Sequence, residues 1–150
     1  MTTATHTPPI TLTLQMTPNR KLAHNASRGK QMWSIGAWNK LDRMAAYGCV
    51  ASWYTEHQVI ITPIHDPVRV TVTIYWGKLL GTDGKMRQAR RLDWDSATAL
   101  VKPTCDGALV DTGILADDRQ IVAGTVLQEV DPTGEGFTTI EIERIDDANQ

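Results

Sequence analysis

The clearest structural signal in this sequence is the alternation Val68-Arg-Val-Thr-Val-Thr-Ile-Tyr-Trp76. Apolar residues occupy every second position, and most of the residues are β-branched, which is typical of a half-buried strand. Two prolines, Pro63 and Pro67, bracket a linker just before this segment. We therefore predict a strand over residues 68–76, and the neighbouring elements follow from it.

Three further segments show the same period of two residues. They are residues 10–16, 120–128 and 136–144. Each alternates apolar and polar side chains, so each is predicted to be a strand with one buried face. Between the last two strands lies Asp131-Pro-Thr-Gly-Glu-Gly136, which is rich in turn-forming residues. The sequence therefore predicts that these two strands form a hairpin.

Two segments have the apolar spacing of amphipathic helices. The first covers residues 31–54, with an end or kink predicted at Gly48. The second starts at Asp95 or Ser96, either of which could cap it, and runs to residue 113 with a possible break at Pro103. Residues 77–92 are rich in glycine and basic side chains, and they are predicted to form a long exposed loop.

The predicted order of elements is β-α-β-α-β-β, with no internal repeat. This order indicates an α/β (α+β) fold, namely a single compact domain with a mixed β-sheet packed by two main helices. The domain is predicted to span residues 10–146. Residues 1–9 are predicted to be a flexible N-terminal tail, and residues 147–150 a C-terminal tail.

Length and composition restrict the class of protein. A chain of 150 residues with 41% hydrophobic residues corresponds to one domain with a sizeable core. It contains no apolar run long enough for a transmembrane helix, and its first residues lack the pattern of a signal peptide. The two cysteines, Cys49 and Cys105, make neither a disulfide framework nor a metal knuckle. We expect a soluble cytoplasmic protein with no membrane partner.

Charge is distributed unevenly along the chain. Residues 1–105 contain 13 Lys or Arg and 6 Asp or Glu, whereas residues 106–150 contain 2 and 11. This asymmetry favours a basic surface for a polyanion, with acidic groups elsewhere. The alternative is that folding mixes the two segments and the field averages out.

A set of aspartates is the most distinctive chemical feature. Asp93 and Asp95 flank Trp94, and Asp117 and Asp118 form a second pair. On extended backbone, an Asp-x-Asp pair points both carboxylates to one side, where a divalent cation with oxygen ligands relieves their repulsion. The alternative interpretation is that Asp95 is a helix cap and the second pair a solvated turn.

These residues resemble the RusA-like Holliday junction resolvases, which are endonucleases of phages, prophages and bacteria. The resemblance covers about residues 10–146, and its specific part covers residues 90–122. At two points the chain departs from the family pattern: Ser96 replaces an Asn, and the interval from Asp95 to Lys102 is about one helical turn longer than in the best-known member. The matching motifs are Arg90-Arg91-Leu92-Asp93-Trp94-Asp95-Ser96, Lys102-x-x-x-Asp106-Gly-Ala-Leu109 and Gly113-Ile-Leu-Ala-Asp117-Asp118-Arg-Gln-Ile-Val122.

The resemblance implies a divalent-metal-dependent endodeoxyribonuclease that resolves four-way DNA junctions in recombination and repair. It implies that Asp93, Asp95 and Asp118 are catalytic and bind Mg²⁺, or Mn²⁺, which accepts the same oxygen ligands. It also implies that Lys102 assists catalysis at the scissile phosphate. For a phage-encoded protein, the expected compartment is the cytoplasm of the bacterial host.

The resemblance to a junction resolvase also implies that the basic loops contact DNA and that the protein forms a dimer. A four-way junction is cut on two symmetry-related strands, so we expect a homodimer. The apolar surface of helix 31–54 is one candidate for its interface, through Met32, Trp33, Ile35, Trp38 and Met44. The residues expected to contact DNA phosphates are Arg20, Lys21, Arg28, Lys30, Lys85, Arg87, Arg90 and Arg91.

Two other functions remain open from the sequence. One is a non-catalytic DNA-binding module that is similar to such a nuclease. The other is a phage structural or regulatory protein, in which the aspartates are only turn residues and helix caps. Metal-dependent cleavage of a four-way junction separates both from the nuclease interpretation.

Overall fold

The predicted fold class is confirmed by a computed structural model, which describes residues 4–6, 8–22 and 32–145. Its main element is a four-stranded mixed sheet on which two main helices pack. The elements are β1 (Ala4–His6), β2 (Ile10–Leu14), α1 (Met32–His57), β3 (Val59–Ile61), β4 (Val68–Trp76), β5 (Lys78–Leu80), β6 (Met86–Gln88), α2 (Trp94–Cys105), β7 (Ile121–Val130) and β8 (Phe137–Arg144).

The strand order of the main sheet is β2-β8-β4-β7. β4 pairs in parallel with β7 and antiparallel with β8, while β2 pairs antiparallel with β8. Alternate residues of β4, from Val68 to Trp76, are buried as the period of two predicted. They join one core with Leu100 of α2 and Val50 of α1. Burial of each large aliphatic side chain stabilises the fold by about 1.5–3 kcal/mol.

A short strand lies within the predicted N-terminal tail. Ala4–His6, within the predicted N-terminal tail, form β1 and pair in parallel with β3. The predicted C-terminal tail, 147–150, lies outside the described residues.

The predicted hairpin between the last two strands is wrong, because β4 lies between β7 and β8. β4 forms backbone hydrogen bonds along both of its edges, to β7 on one side and to β8 on the other. The loop after β7 therefore crosses the end of β4 instead of turning back on β7. Asp131 N–H donates to Trp76 O over 2.9 Å at this crossing, and Lys78 N–H donates to Gly134 O over 2.8 Å.

The side chain of Asp131 stabilises the loop that crosses the end of β4. Its buried carboxylate accepts hydrogen bonds from the backbone N–H of Thr133 at 2.9 Å and of Gly136 at 2.8 Å. The close approach also requires glycine at position 77, where a Cβ atom would lie 2.5 Å from Gly134 O. The donors around Asp131, first the Gly136 N–H, hold the pKa of its carboxyl below the ordinary value.

Asp131→Ala is expected to lower the melting temperature at pH 7 by several degrees, because two backbone N–H groups lose their acceptor. The folded-state pKa lies below the unfolded one. The contribution of the carboxylate is therefore complete above about pH 4 and is lost as the pH falls through the folded-state pKa. Thermal denaturation followed by circular dichroism at pH 7 and pH 2.5 measures this. Glu135→Ala, in the same loop, is the control, and an equal deficit of Asp131→Ala at both pH values contradicts the assignment.

Two helix boundaries differ from the prediction. α1 continues through Gly48 to His57 without a break. α2 begins at Trp94, one residue earlier than predicted, so Asp95 lies in the first helical turn and not on extended backbone. At Pro103 the helix does not end. It continues into a π-helical turn over Asp106–Val110, in which Asp111 N–H donates to Asp106 O over 2.9 Å.

The predicted loop at 77–92 is exposed, as expected, but it contains an antiparallel hairpin of β5 and β6. Within the part of the chain that the structure describes, no helix has the length and apolar character needed to cross a bilayer.

Candidate functional site

Lys102 and Asp118 meet in space although 16 residues separate them in the chain. The Lys102 ammonium donates to Asp118 Oδ2 over 2.7 Å, and to the two carboxylate oxygens of Asp106 over 3.3 and 3.2 Å. Lys102 and Asp106 lie one helical turn apart, a spacing that places them on the same face. Two of the three motifs that carry the resemblance are therefore in direct contact.

Arg43 and Asp111 extend this contact into a row of alternating charges. The Arg43 guanidinium donates to both carboxylate oxygens of Asp111, at 2.6 and 2.7 Å, and lies 3.9 Å from Asp106. The row thus runs Asp111, Arg43, Asp106, Lys102, Asp118. Sequence reasoning missed the first two residues, because Arg43 is an ordinary cation of α1 and no spacing relates it to a residue 68 positions later.

Local sequence explains why Asp118, and not Asp117, faces Lys102. The Asp117 carboxylate caps a short 3₁₀ turn by accepting from Arg119 N–H over 2.8 Å. The Gln120 side chain completes the capping box and donates to Ile64 O over 2.8 Å. The Arg119 side chain and N–H hold the pKa of Asp117 well below its ordinary value. Asp117 therefore has a structural role, and the turn that it caps places Asp118 next to Lys102.

The electrostatics of the row decide what Lys102 can do. The hydrogen bond to Asp118 is the main cause that raises the pKa of the Lys102 ammonium group above its ordinary value. Asp106 raises this pKa further, while partial desolvation lowers it. Lys102 therefore stays protonated at neutral pH. It is suited to donating hydrogen bonds to an anion, and it is unsuited to accepting a proton.

Asp93 and Asp95 are not brought to Asp118. Leu92, next to Asp93, is held by the Gln128 amide through two hydrogen bonds of 2.7 and 2.8 Å, near the end of β7. Asp118 instead precedes Ile121, where β7 begins. Along α2, Asp95 also precedes Lys102, the residue in contact with Asp118, by seven residues or about 10 Å.

This separation decides how well one chain fits the predicted metal. Among residues 4–6, 8–22 and 32–145, no group of three or more His, Cys, Asp or Glu side chains is placed to hold a metal ion. The Lys102 ammonium also lies on Asp118, where it already balances the carboxylate. The described residues of a single protomer therefore do not fit a three-carboxylate metal centre.

The predicted DNA-binding residues are in different surroundings. The Arg20 guanidinium packs 4.5 Å from the centre of the Trp76 ring, and burial lowers its pKa. Lys21 lies 5.4 Å from the Trp38 ring and is exposed. Arg28 and Lys30 lie outside the described residues. The other four, Lys85, Arg87, Arg90 and Arg91, are all exposed on or after the β5–β6 hairpin.

A cleft of about 550 Å³ opens between α1 and α2 beside the charged row. Its walls include Lys40 and Arg43 from α1, and Lys102 and Asp106 from α2 and its π-helical turn. The Lys102 ammonium is therefore accessible from an open groove with two further cations nearby.

Comparison of the chain with known proteins finds neither a family model nor a curated protein that matches it.

Proposed function

We propose that this protein is a divalent-metal-dependent endodeoxyribonuclease that resolves four-way DNA junctions by paired phosphodiester hydrolysis. The observation that carries the proposal is the 2.7 Å contact between Lys102 and Asp118. It joins the lysine of one resolvase-like motif to the second aspartate of another, at the edge of an open cleft. The resemblance requires this juxtaposition, and both side chains are partly exposed to solvent.

In this proposal, Lys102 contacts the phosphate that is cut. Its protonated amine donates to a non-bridging phosphate oxygen, and Asp106 and Asp118 orient it toward the cleft. Lys40 and Arg43 line the same cleft and lower the cost of bringing a polyanion close to three carboxylates. Mg²⁺, or Mn²⁺, is the proposed cofactor, because nucleases of this kind depend on carboxylate-held divalent ions.

A homodimer is part of the proposal, and α1 supplies a surface for it. Leu41 and Met44 are about 61% and 60% exposed. Together with the exposed Gly48 and Ala51 they form what we call the α1 stripe, spaced like the seam of a coiled coil. The interface predicted from the sequence shifts accordingly. Met44 remains part of it, whereas Ile35 and Trp38 pack against the core, and the side chains of Met32 and Trp33 lie outside the described residues.

In this proposal, dimerisation also brings Asp93 and Asp95 of one protomer to Asp118 of its partner. Within one protomer, Asp95 and Lys102 are seven helical residues apart, which is about 10 Å along the axis of α2. Asp93 lies still further from Asp118. A centre that uses all three predicted ligands therefore needs Asp93 and Asp95 from one protomer and Asp118 from its partner. We propose this shared arrangement as the reason why cleavage requires two protomers.

A non-catalytic DNA-binding module is the second candidate. One observation favours it: the lysine ammonium rather than a cluster of carboxylates is the partner of Asp118. Such a protein binds junctions through the same cations and does not cut them.

Incubation with a labelled four-way junction tests the proposal. We expect paired nicks at symmetry-related positions in the presence of Mg²⁺, no cutting after addition of EDTA, and recovery on adding excess Mg²⁺ or Mn²⁺. Linear duplex of the same sequence is the control substrate, and it is expected to remain intact. Binding without cutting under all of these conditions supports the non-catalytic module instead.

A further inference from the structure

The β5–β6 hairpin is an exposed feature that lies before the specific part of the resemblance, residues 90–122. All residues of its two strands are exposed. The base is fixed by Ala89 N–H donating to Gly77 O over 3.0 Å and by the Gln88 amide donating to Trp76 O over 2.7 Å. The hairpin is therefore a fixed projection from the end of the central strand.

The turn of this projection, residues 81–85, is polar, but the ladder pair next to it, Leu80 and Met86, is apolar, and we call this pair the tip. The register places Leu80 directly opposite Met86, so their side chains lie on the same face. They are 68% and 57% exposed, and Leu79 on the opposite face is 46% exposed. A two-stranded hairpin has no core in which to bury such residues, and an isolated hairpin is only marginally stable. Exposed apolar side chains at a fixed tip indicate a contact surface.

The charges around the tip indicate what it contacts. Residues 78–91 contain five cations and a single acidic residue, Asp83, which is paired with Arg87 at 2.9 Å. Lys85 and Arg87 lie beside the tip, whereas Arg91 lies beyond the base of the hairpin, 3.7 Å from Glu129. Cations on the same projection as an apolar pair are complementary to a polyanion that also offers apolar surfaces. Nucleic acid has both, in its phosphates and in the faces of its bases. The five cations are Lys78, Lys85, Arg87, Arg90 and Arg91.

We propose that the β5–β6 hairpin is a wedge that inserts Leu80 and Met86 between bases at the branch point of the DNA. The cations of residues 78–91 hold the phosphates on either side. Insertion is least costly where base stacking is already interrupted, which is the case at a branch point and not in linear duplex. The wedge thus gives selectivity for branched DNA. This inference rests on the proposed function and names the contact by which the protein distinguishes its substrate.

A junction with 2-aminopurine at the branch point tests the wedge, in EDTA so that no strand is cut. We expect wild-type protein to increase the 2-aminopurine fluorescence, because this base brightens when it is unstacked. The variant Leu80→Ser/Met86→Ser should lose the increase and bind the junction about 10- to 100-fold more weakly, the effect of losing one stacking contact. Its affinity for duplex should change by less than about twofold, since all of the cations remain.

The control is Val122→Ser, which removes an apolar side chain that is 57% exposed on β7 and should behave as the wild type. A double variant that keeps both junction preference and fluorescence overturns the wedge, even when wild-type protein cuts junctions as proposed. A double variant that becomes monomeric in light scattering also overturns it, because the tip then contacts a second copy of the chain. Wild-type protein that binds no junction overturns both the proposed function and the wedge.

Discussion

Asp95→Asn is expected to reduce cleavage of a four-way junction by more than about 100-fold, because even residues that only orient metal ligands cost about 10- to 100-fold when replaced. Asp118→Asn should have an effect of the same size. Both substitutions keep the shape of the side chain and remove its charge. Cleavage is measured as the single-turnover rate in excess Mg²⁺, with enzyme in excess over junction.

Binding is expected to survive both substitutions. The loss of a negative charge reduces repulsion between the protein and phosphates, so the affinity for junctions should stay equal or increase slightly. Gel shift in EDTA measures this. Retained binding distinguishes loss of chemistry from loss of folding, because an unfolded variant loses both.

Asp117→Asn is the matched control, since it changes the residue next to Asp118 in the same way. Asn is as good a cap as Asp, so the 3₁₀ turn should persist. Asp118 then keeps its contact with Lys102, and cleavage should stay close to wild type. An Asp95→Asn protein that cuts at the wild-type rate shows that the site assignment is wrong.

The sequence was sufficient to predict the four strands of the main sheet and the two main helices, because their patterns are local, whereas the three-residue strands β1, β3, β5 and β6 are too short to show a period. The strand over Val68–Trp76 was predicted to the residue, since nine alternating positions leave no doubt about its bounds. The pairing of strands is not local. Turn-forming residues between β7 and β8 are compatible with a hairpin and equally with a crossing over β4, and the pairing of β4 with both strands distinguishes the two.

The candidate site depends on contacts between distant parts of the chain, which local patterns do not give. The resemblance implied that Lys102 and Asp118 belong to one site; the structure places their side chains in contact, and their catalytic roles stay predictions. Arg43 could not be found, because its role depends on where α1 packs, and its hydrogen bonds to Asp111 cross 68 residues. The assumption that Asp93 and Asp95 share an extended segment also failed, because α2 begins between them.

Mixing two inactive variants is expected to restore cleavage, if the site is shared between protomers. Asp95→Asn and Asp118→Asn chains are co-expressed with different tags, and the mixed dimer is purified through both. In the shared arrangement, one of its two sites contains both substitutions and the other contains none. The mixed dimer should therefore cut at about half of the wild-type rate per dimer, and it should nick one strand of a junction where the wild type cuts two.

The alternative arrangement predicts a different result from the same sample. If each site is built from a single protomer, both sites of the mixed dimer carry one substitution, and no activity returns. The α1 stripe provides the control: Leu41→Glu/Met44→Glu places two charges on each face of the proposed seam, so it should give a monomer in light scattering. Since a monomer cannot bring Asp95 to Asp118 across about two turns of α2, this variant should also lose cleavage. A monomeric variant that still cuts junctions contradicts the shared site, whatever the mixed dimer does.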